Sequence, residues 1–256
     1  AKIHELGPDT VLAFAMEPVG GLATGCAVPP PAYFEGIRDI CSRHGIFLIF
    51  DEVLCGTGRT GQFLNAHYYP DALPDIVVMA KGLGSGYAPL GATLFPAHLV
   101  DQLSTLTGFG FSHTYNANPI TCATGLAVLD EYERLNLIDN AAAMGDYLKE
   151  RVWALTDEFP IIGDVRGQGL LLGIELVADP ISKQPMAAEF LPTEKIRIHG
   201  LNNGLIIYSR QTAGGKYGDW FLLSPPLTIT QAECDELLRR LRATFIDFVS
   251  DWKGCQ

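Results

Sequence analysis

Two runs of the chain are wholly apolar and stop abruptly at a charge. Ile46–Phe50 (IFLIF) ends at Asp51, and the run inside Asp75–Ala80 (DIVVMA) ends at Lys81. Short, continuously apolar segments of this kind predict strands buried on both faces, the pattern of a parallel or mixed sheet covered by helices. Val11–Met16 and Leu90–Phe95 are further strand candidates. Pro31–His44 has helical spacing, with Phe34, Ile37, Ile40 and Cys41 on one face, Pro just inside its start and Gly45 just past its end. Strands alternating with helices define an α/β chain.

Farther along, helical patterns run from Asn118-Pro119 to about Asn136 and from about Ile138 to Phe159. The texture changes near Pro160. Ile161–Arg166 and Leu170–Val177 read as a strand pair around Gly167-Gln168-Gly169, followed by a helix over Thr193–Asn202. Leu205–Tyr208 and Trp220–Leu223 read as strands, and Thr230–Trp252 as a closing amphipathic helix. Thr228 or Thr230 can cap that helix, and Glu233 can complete a capping box with Thr230. This places one domain over 1–159 and a second over 160–256.

Composition narrows the functional classes. With 48% hydrophobic and 18% charged residues the chain is globular. A formal charge of −11 repels phosphate backbones and argues against nucleic acid as a partner. No apolar run is long enough to span a bilayer, so no membrane partner is expected. The N-terminal Ala1-Lys2-Ile3-His4-Glu5 lacks the basic and apolar regions of a signal peptide. The six cysteines form no C-x-x-C pair and are irregularly spaced, which argues against a disulfide framework or a metal site and suits a reducing cytoplasm.

In open α/β sheets, sites gather at the carboxyl ends of strands, where Glu17, Asp51 and Lys81 fall. Asp51 and Lys81 have two readings: a structural ion pair, or a carboxylate and a nucleophilic amine with separate tasks. Lys81 opens the glycine-rich run Lys81-Gly82-Leu83-Gly84-Ser85-Gly86, whose backbone can wrap closely around a bound group. Gly56-Thr57-Gly58-Arg59-Thr60-Gly61 is a literal G-x-G-x-x-G. Five residues separate it from the strand, it lies beside two carboxylates, and a poor helix follows, so a dinucleotide reading fails.

Five ordered blocks carry a family resemblance. They are Asp51-Glu52-Val53 with Gly56–Gly61; Pro74-Asp75-Ile76 with Lys81–Gly86 and Pro89–Ala92; Thr114–Pro119; Asp164–Leu170; and Pro225-Pro226-Leu227. Together the chain resembles the C-terminal portion of the class III aminotransferases that depend on pyridoxal 5′-phosphate (PLP). The resemblance implies the PLP-dependent transferase fold type I, aspartate aminotransferase-like. The chain would supply part of the large mixed-sheet domain plus a small α+β C-terminal domain. It implies Lys81 as the residue that carries the cofactor as a Schiff base and moves the substrate proton. Asp51 matches the partner of the ring nitrogen, and Val53 the residue packed on one ring face. Thr114 matches the hydroxyl that reaches the cofactor phosphate of the neighbouring subunit in a homodimer. Glu17 matches a substrate-side glutamate that can balance an arginine; Arg210 is a candidate for that arginine, the other reading being a plain surface residue. Arg59 is expected to be structural, and His113 could line a pocket.

The implied reaction moves an amino group from an amine or omega-amino acid to a keto acid or aldehyde. The rivals are a PLP-dependent aminomutase, racemase or decarboxylase of the same fold, or a non-catalytic dimerising fragment. In the family, a second phosphate-binding turn and a ring-stacking aromatic lie upstream of the Glu17-Pro18 segment. The chain therefore reads as a fragment, expected to bind the cofactor weakly and turn over poorly when isolated.

Overall fold

The computed structural model describes residues 1–106, 108, 110, 112–209 and 216–254. They divide into two compact units. The first comprises Ala1–Pro18, Pro29–Gly58 and Gln62–Leu137, and the second Val19–Val28, Arg59–Gly61 and Ile138–Gln256.

The first unit contains helix α1 (Lys2–Leu6), strand β1 (Ala13–Met16), helix α2 (Pro31–His44), strands β2 (Phe47–Asp51), β3 (Ile76–Met79) and β4 (Ala92–Leu94), and helices α3 (Ala97–Leu106) and α4 (Pro119–Arg134). The strands form one sheet in the order β1-β2-β3-β4, parallel except for β4. Helix α2 keeps the predicted limits. Pro31 occupies its first turn, and Gly45 (φ 64°) ends it, with the Ile46 N–H reaching back to the Cys41 carbonyl at 2.9 Å. Phe34 and Cys41 turn inward and pack with Ile46, Leu48, Phe50 and Tyr69; the Phe34 and Tyr69 rings stack at 3.7 Å.

The sheet departs from the sequence expectation on one face. Leu48, Phe50, Val77 and Met79 are buried, but the alternate residues Phe47, Ile49 and Ile76 are only half-buried. The apolar runs are thus closed on one side rather than both. Helix α3, absent from the sequence reading, buries none of its residues despite Leu99, Val100, Leu103 and Leu106.

The second unit holds helix α5 (Leu137–Ala154), which starts at the last residue of the first, then strands β5 (Ile162–Gln168) and β6 (Leu171–Leu176), helix α6 (Pro192–Asn202), strands β7 (Tyr208–Ser209) and β8 (Asp219–Leu223), and helix α7 (Gln231–Lys253). Its sheet runs β5-β6-β8-β7, all antiparallel. The core includes Leu148, Ile174, Phe221, Phe245 and Phe248, each fully buried. Thr230 caps α7 in a reciprocal box with Glu233, so the choice between Thr228 and Thr230 falls on Thr230. The strand expected at Leu205–Tyr208 shrinks to Tyr208–Ser209, because the Leu205 N–H closes the end of α6 on the Gly200 carbonyl at 2.8 Å.

Arg166 anchors Val19–Val28 onto this sheet. Its Nε donates to the Gly25 carbonyl at 2.7 Å, and its guanidinium pairs with Asp164 and Glu175. Arg59 plays a matching structural part, donating to the carbonyls of Leu170 (3.2 Å) and Pro225 (2.6 Å). Among the described residues, no helix is long and apolar enough to cross a membrane.

Candidate active site

Parallel strands end on the same edge, so the register decides which charges meet. Met16 pairs with Phe50 and Asp51 pairs with Val78. Glu17, Asp51 and Lys81 therefore emerge at one edge of the first unit's sheet, as the strand-end reading expects. Glu17 is exposed directly after β1.

Asp51 is the last residue of β2 and half-buried. Its Oδ1 accepts the Val53 N–H at 3.0 Å, a short turn that aims the carboxylate outward from the strand. Lys81 starts a single 3-10 turn, Lys81–Leu83, two residues beyond β3. Its side chain is exposed, and among the described residues it forms no ion pair. The structural Asp51–Lys81 ion pair is not formed. Lys81 has φ 43°, a conformation that costs a non-glycine residue energy and concentrates at functional positions.

Of the glycines after Lys81, Gly84 is required by the turn itself. A Cβ on Gly84 would lie 2.4 Å from the Ala88 carbonyl oxygen, so its bare backbone is what lets the loop fold on itself. The Tyr87 N–H closes that turn on the Gly84 carbonyl at 2.9 Å.

Val53 is half-buried beside Asp51. Thr114 and His113 are exposed just ahead of α4, Thr114 opening the turn 114–117. The amides at the start of α4 are partly spoken for, since the Asn118 side chain accepts from Ile120 and Thr121 at 3.0 and 3.3 Å. Arg210 lies outside the described residues.

Sequence reasoning passed over a layer of buried polar groups next to Asp51. Glu52 is fully buried, with Oε2 accepting the Asn65 N–H at 2.5 Å and Oε1 the Ala66 N–H at 2.8 Å. Burial pushes its carboxyl upward, opposed by those two N–H donors. Thr57 is buried with φ 50° and its hydroxyl has no hydrogen-bond partner. It lies against the Lys81 turn: a Cβ on Gly82 would sit 3.2 Å from the Thr57 Cβ. The available signal was the acidic pair Asp51-Glu52 after an apolar strand, where two adjacent carboxylates must point to opposite sides. Residues 53–64 form turns and bends, and only short 3-10 turns (Asn65–Tyr68, Pro70–Ala72) follow the G-x-G-x-x-G run before β3, with no α-helix, which agrees with rejecting the dinucleotide reading.

Comparison with known proteins matches the model of the family described as Aminotransferase class-III over residues 1–245. The diaminobutyrate–2-oxoglutarate transaminase of Halomonas elongata is 37% identical over 249 residues, 94% of this chain and 51% of the relative. Among solved structures, an (S)-enantioselective omega-transaminase from Thermomicrobium roseum superposes with a TM-score of 0.87 at 38% identity, over 96% of this chain and 53% of that one. An amine transaminase from an uncultivated Pseudomonas species, in its PLP-bound form, gives a TM-score of 0.87 at 38% identity, over 96% and 54%. The chain spans about half the length of each.

Proposed function

Because the chain belongs to the class-III aminotransferases, we propose that it contributes the lysine-bearing part of a transaminase. That enzyme would move an amino group from an amine or omega-amino acid to a keto acid or aldehyde. The fold is that of the fold type I PLP-dependent transferases, and PLP is the cofactor of the family. When bound, PLP supplies an electron sink for the bonding pair left on the substrate carbon when its proton departs.

The residues present fit such a group. At one sheet edge stand an exposed amine and a carboxylate that, among the described residues, have respectively no ion pair and a single backbone donor. That juxtaposition, Asp51 ending β2 and Lys81 two residues beyond the adjacent parallel strand β3, is the observation that carries the proposal. Lys81 holds the cofactor through Nζ, and the same atom takes up and returns the substrate proton. Asp51 keeps the ring nitrogen protonated, which its carboxylate charge favours. Val53 packs on a ring face. Thr114 donates its hydroxyl to the phosphate bound in the neighbouring subunit of a homodimer. Glu17 and Arg210 lie on the substrate side. In the whole enzyme we assign residues 1–159 to the large cofactor-binding domain and 160–256 to the small one, although by packing residues 138–159 fall in the second compact unit.

The names of the relatives, one acting on diaminobutyrate with 2-oxoglutarate and one an omega-transaminase, favour a donor amine remote from a carboxylate and a keto-acid acceptor. The five described cysteines form no disulfide with one another, and a reducing cytoplasm would accommodate them. Incubating the PLP-loaded protein with a panel of amines and keto acids tests the reading. One amino acid formed per amine consumed is expected. Loss of carbon dioxide or inversion of the donor without an acceptor would assign a decarboxylase or racemase instead.

A further inference from the structure

We propose that Glu52 is a positioning residue for Asp51, holding through the backbone the turn that aims the Asp51 carboxylate. The inference rests on the role given to Asp51 above. A fully buried carboxylate with no cation beside it is costly, and among the described residues Glu52 forms no ion pair. What it does instead is fasten one residue at four points. Its two oxygens hold the Asn65 and Ala66 N–H groups. Its N–H donates to the Val78 carbonyl at 2.9 Å, carrying the β2–β3 ladder one residue past Asp51. Its carbonyl accepts the Gly56 N–H at 2.9 Å.

Glu52 is the single residue between Asp51 and Val53, and the Val53 N–H is what Asp51 Oδ1 accepts. Fixing Glu52 therefore fixes the donor that sets the direction of Asp51. The fit is tight from the far side as well. A Cβ on Gly56 would stand 2.8 Å from the Glu52 carbonyl oxygen and 2.9 Å from Oε2, so any side chain there must displace Glu52. Replacing Glu52 by Gln turns one acceptor into a donor facing an N–H, which breaks one of the two carboxylate bonds while keeping the volume.

The test compares dissociation constants for PLP and for 1-deazapyridoxal 5′-phosphate, in which carbon replaces the ring nitrogen, in the wild-type chain, Glu52→Gln and Gly56→Ala. A contact between Asp51 and the ring nitrogen makes the wild type prefer PLP. We expect both variants to reduce that preference by about tenfold, on the scale of one charge-assisted hydrogen bond. Hydrogen exchange without cofactor should show faster exchange at Val53, Asn65 and Ala66. If Glu52→Gln folds and weakens both ligands equally, Glu52 is only a structural residue and the proposal is overturned. If Glu52→Gln does not fold, Gly56→Ala decides by the same ratio. A wild type without any preference would overturn the reading of Asp51 itself, and the positioning role with it.

Discussion

The two sheets are built from similarly apolar strands but close them differently. In the second unit, β6 and β8 are buried along nearly their whole length, from Leu171 to Leu176 and from Asp219 to Leu223. In the first unit, Leu48 and Phe50 are sealed while Phe47, Ile49 and Asp51 on the opposite face stay half-open. All the described candidate site residues lie in the first unit, and Asp51 stands on its half-open face. The second unit's sheet therefore stands mainly on apolar burial. The first leaves one face of its central strand to serve something besides its own core.

This contrast can be broken by experiment. Phe221→Ala, at a fully buried position packed near Phe245, should cost about 3–5 kcal/mol in urea unfolding. The next effect is one of pH. Asp219 is buried with no hydrogen-bond partner for either oxygen, and burial raises its carboxyl to about 6. A raised acid binds its proton more tightly when folded than when unfolded. Its contribution is thus present below the ordinary carboxylate range and is lost as pH rises from about 4 to about 6. The loss should be about 2–3 kcal/mol, and Asp219→Asn should flatten that slope. Ile49→Ala, on the half-open face, should cost only about 1 kcal/mol. A cost matching that of Phe221→Ala would mean the two sheets do not differ. Smallest of all, Asp51→Asn should change stability by about 0.5 kcal/mol or less while weakening PLP binding, because among the described residues its carboxylate accepts only the Val53 N–H, which Asn can still bind.

Much of the architecture was legible because it depends on local pattern. Pro31 and Gly45 bracket α2, Thr230 and Glu233 fix the start of α7, and the apolar runs mark β2 and β3. Helix α3 is not legible in this way: none of its residues is buried among the described residues, so no core contact singles out its apolar face. The edge that gathers Glu17, Asp51 and Lys81 followed from strand ends alone. The Glu52–Asn65–Ala66 layer did not, because it pairs a side chain with backbone groups thirteen and fourteen residues away. No periodicity records a contact of that kind.

The central claim is that Lys81 is the attachment residue. The direct measurement is borohydride reduction of the PLP-loaded chain followed by peptide mass mapping. One pyridoxyl-phosphate group is expected on the peptide containing Lys81, and none in Lys81→Ala. A label on any other lysine, or unchanged labelling in Lys81→Ala, would contradict that claim.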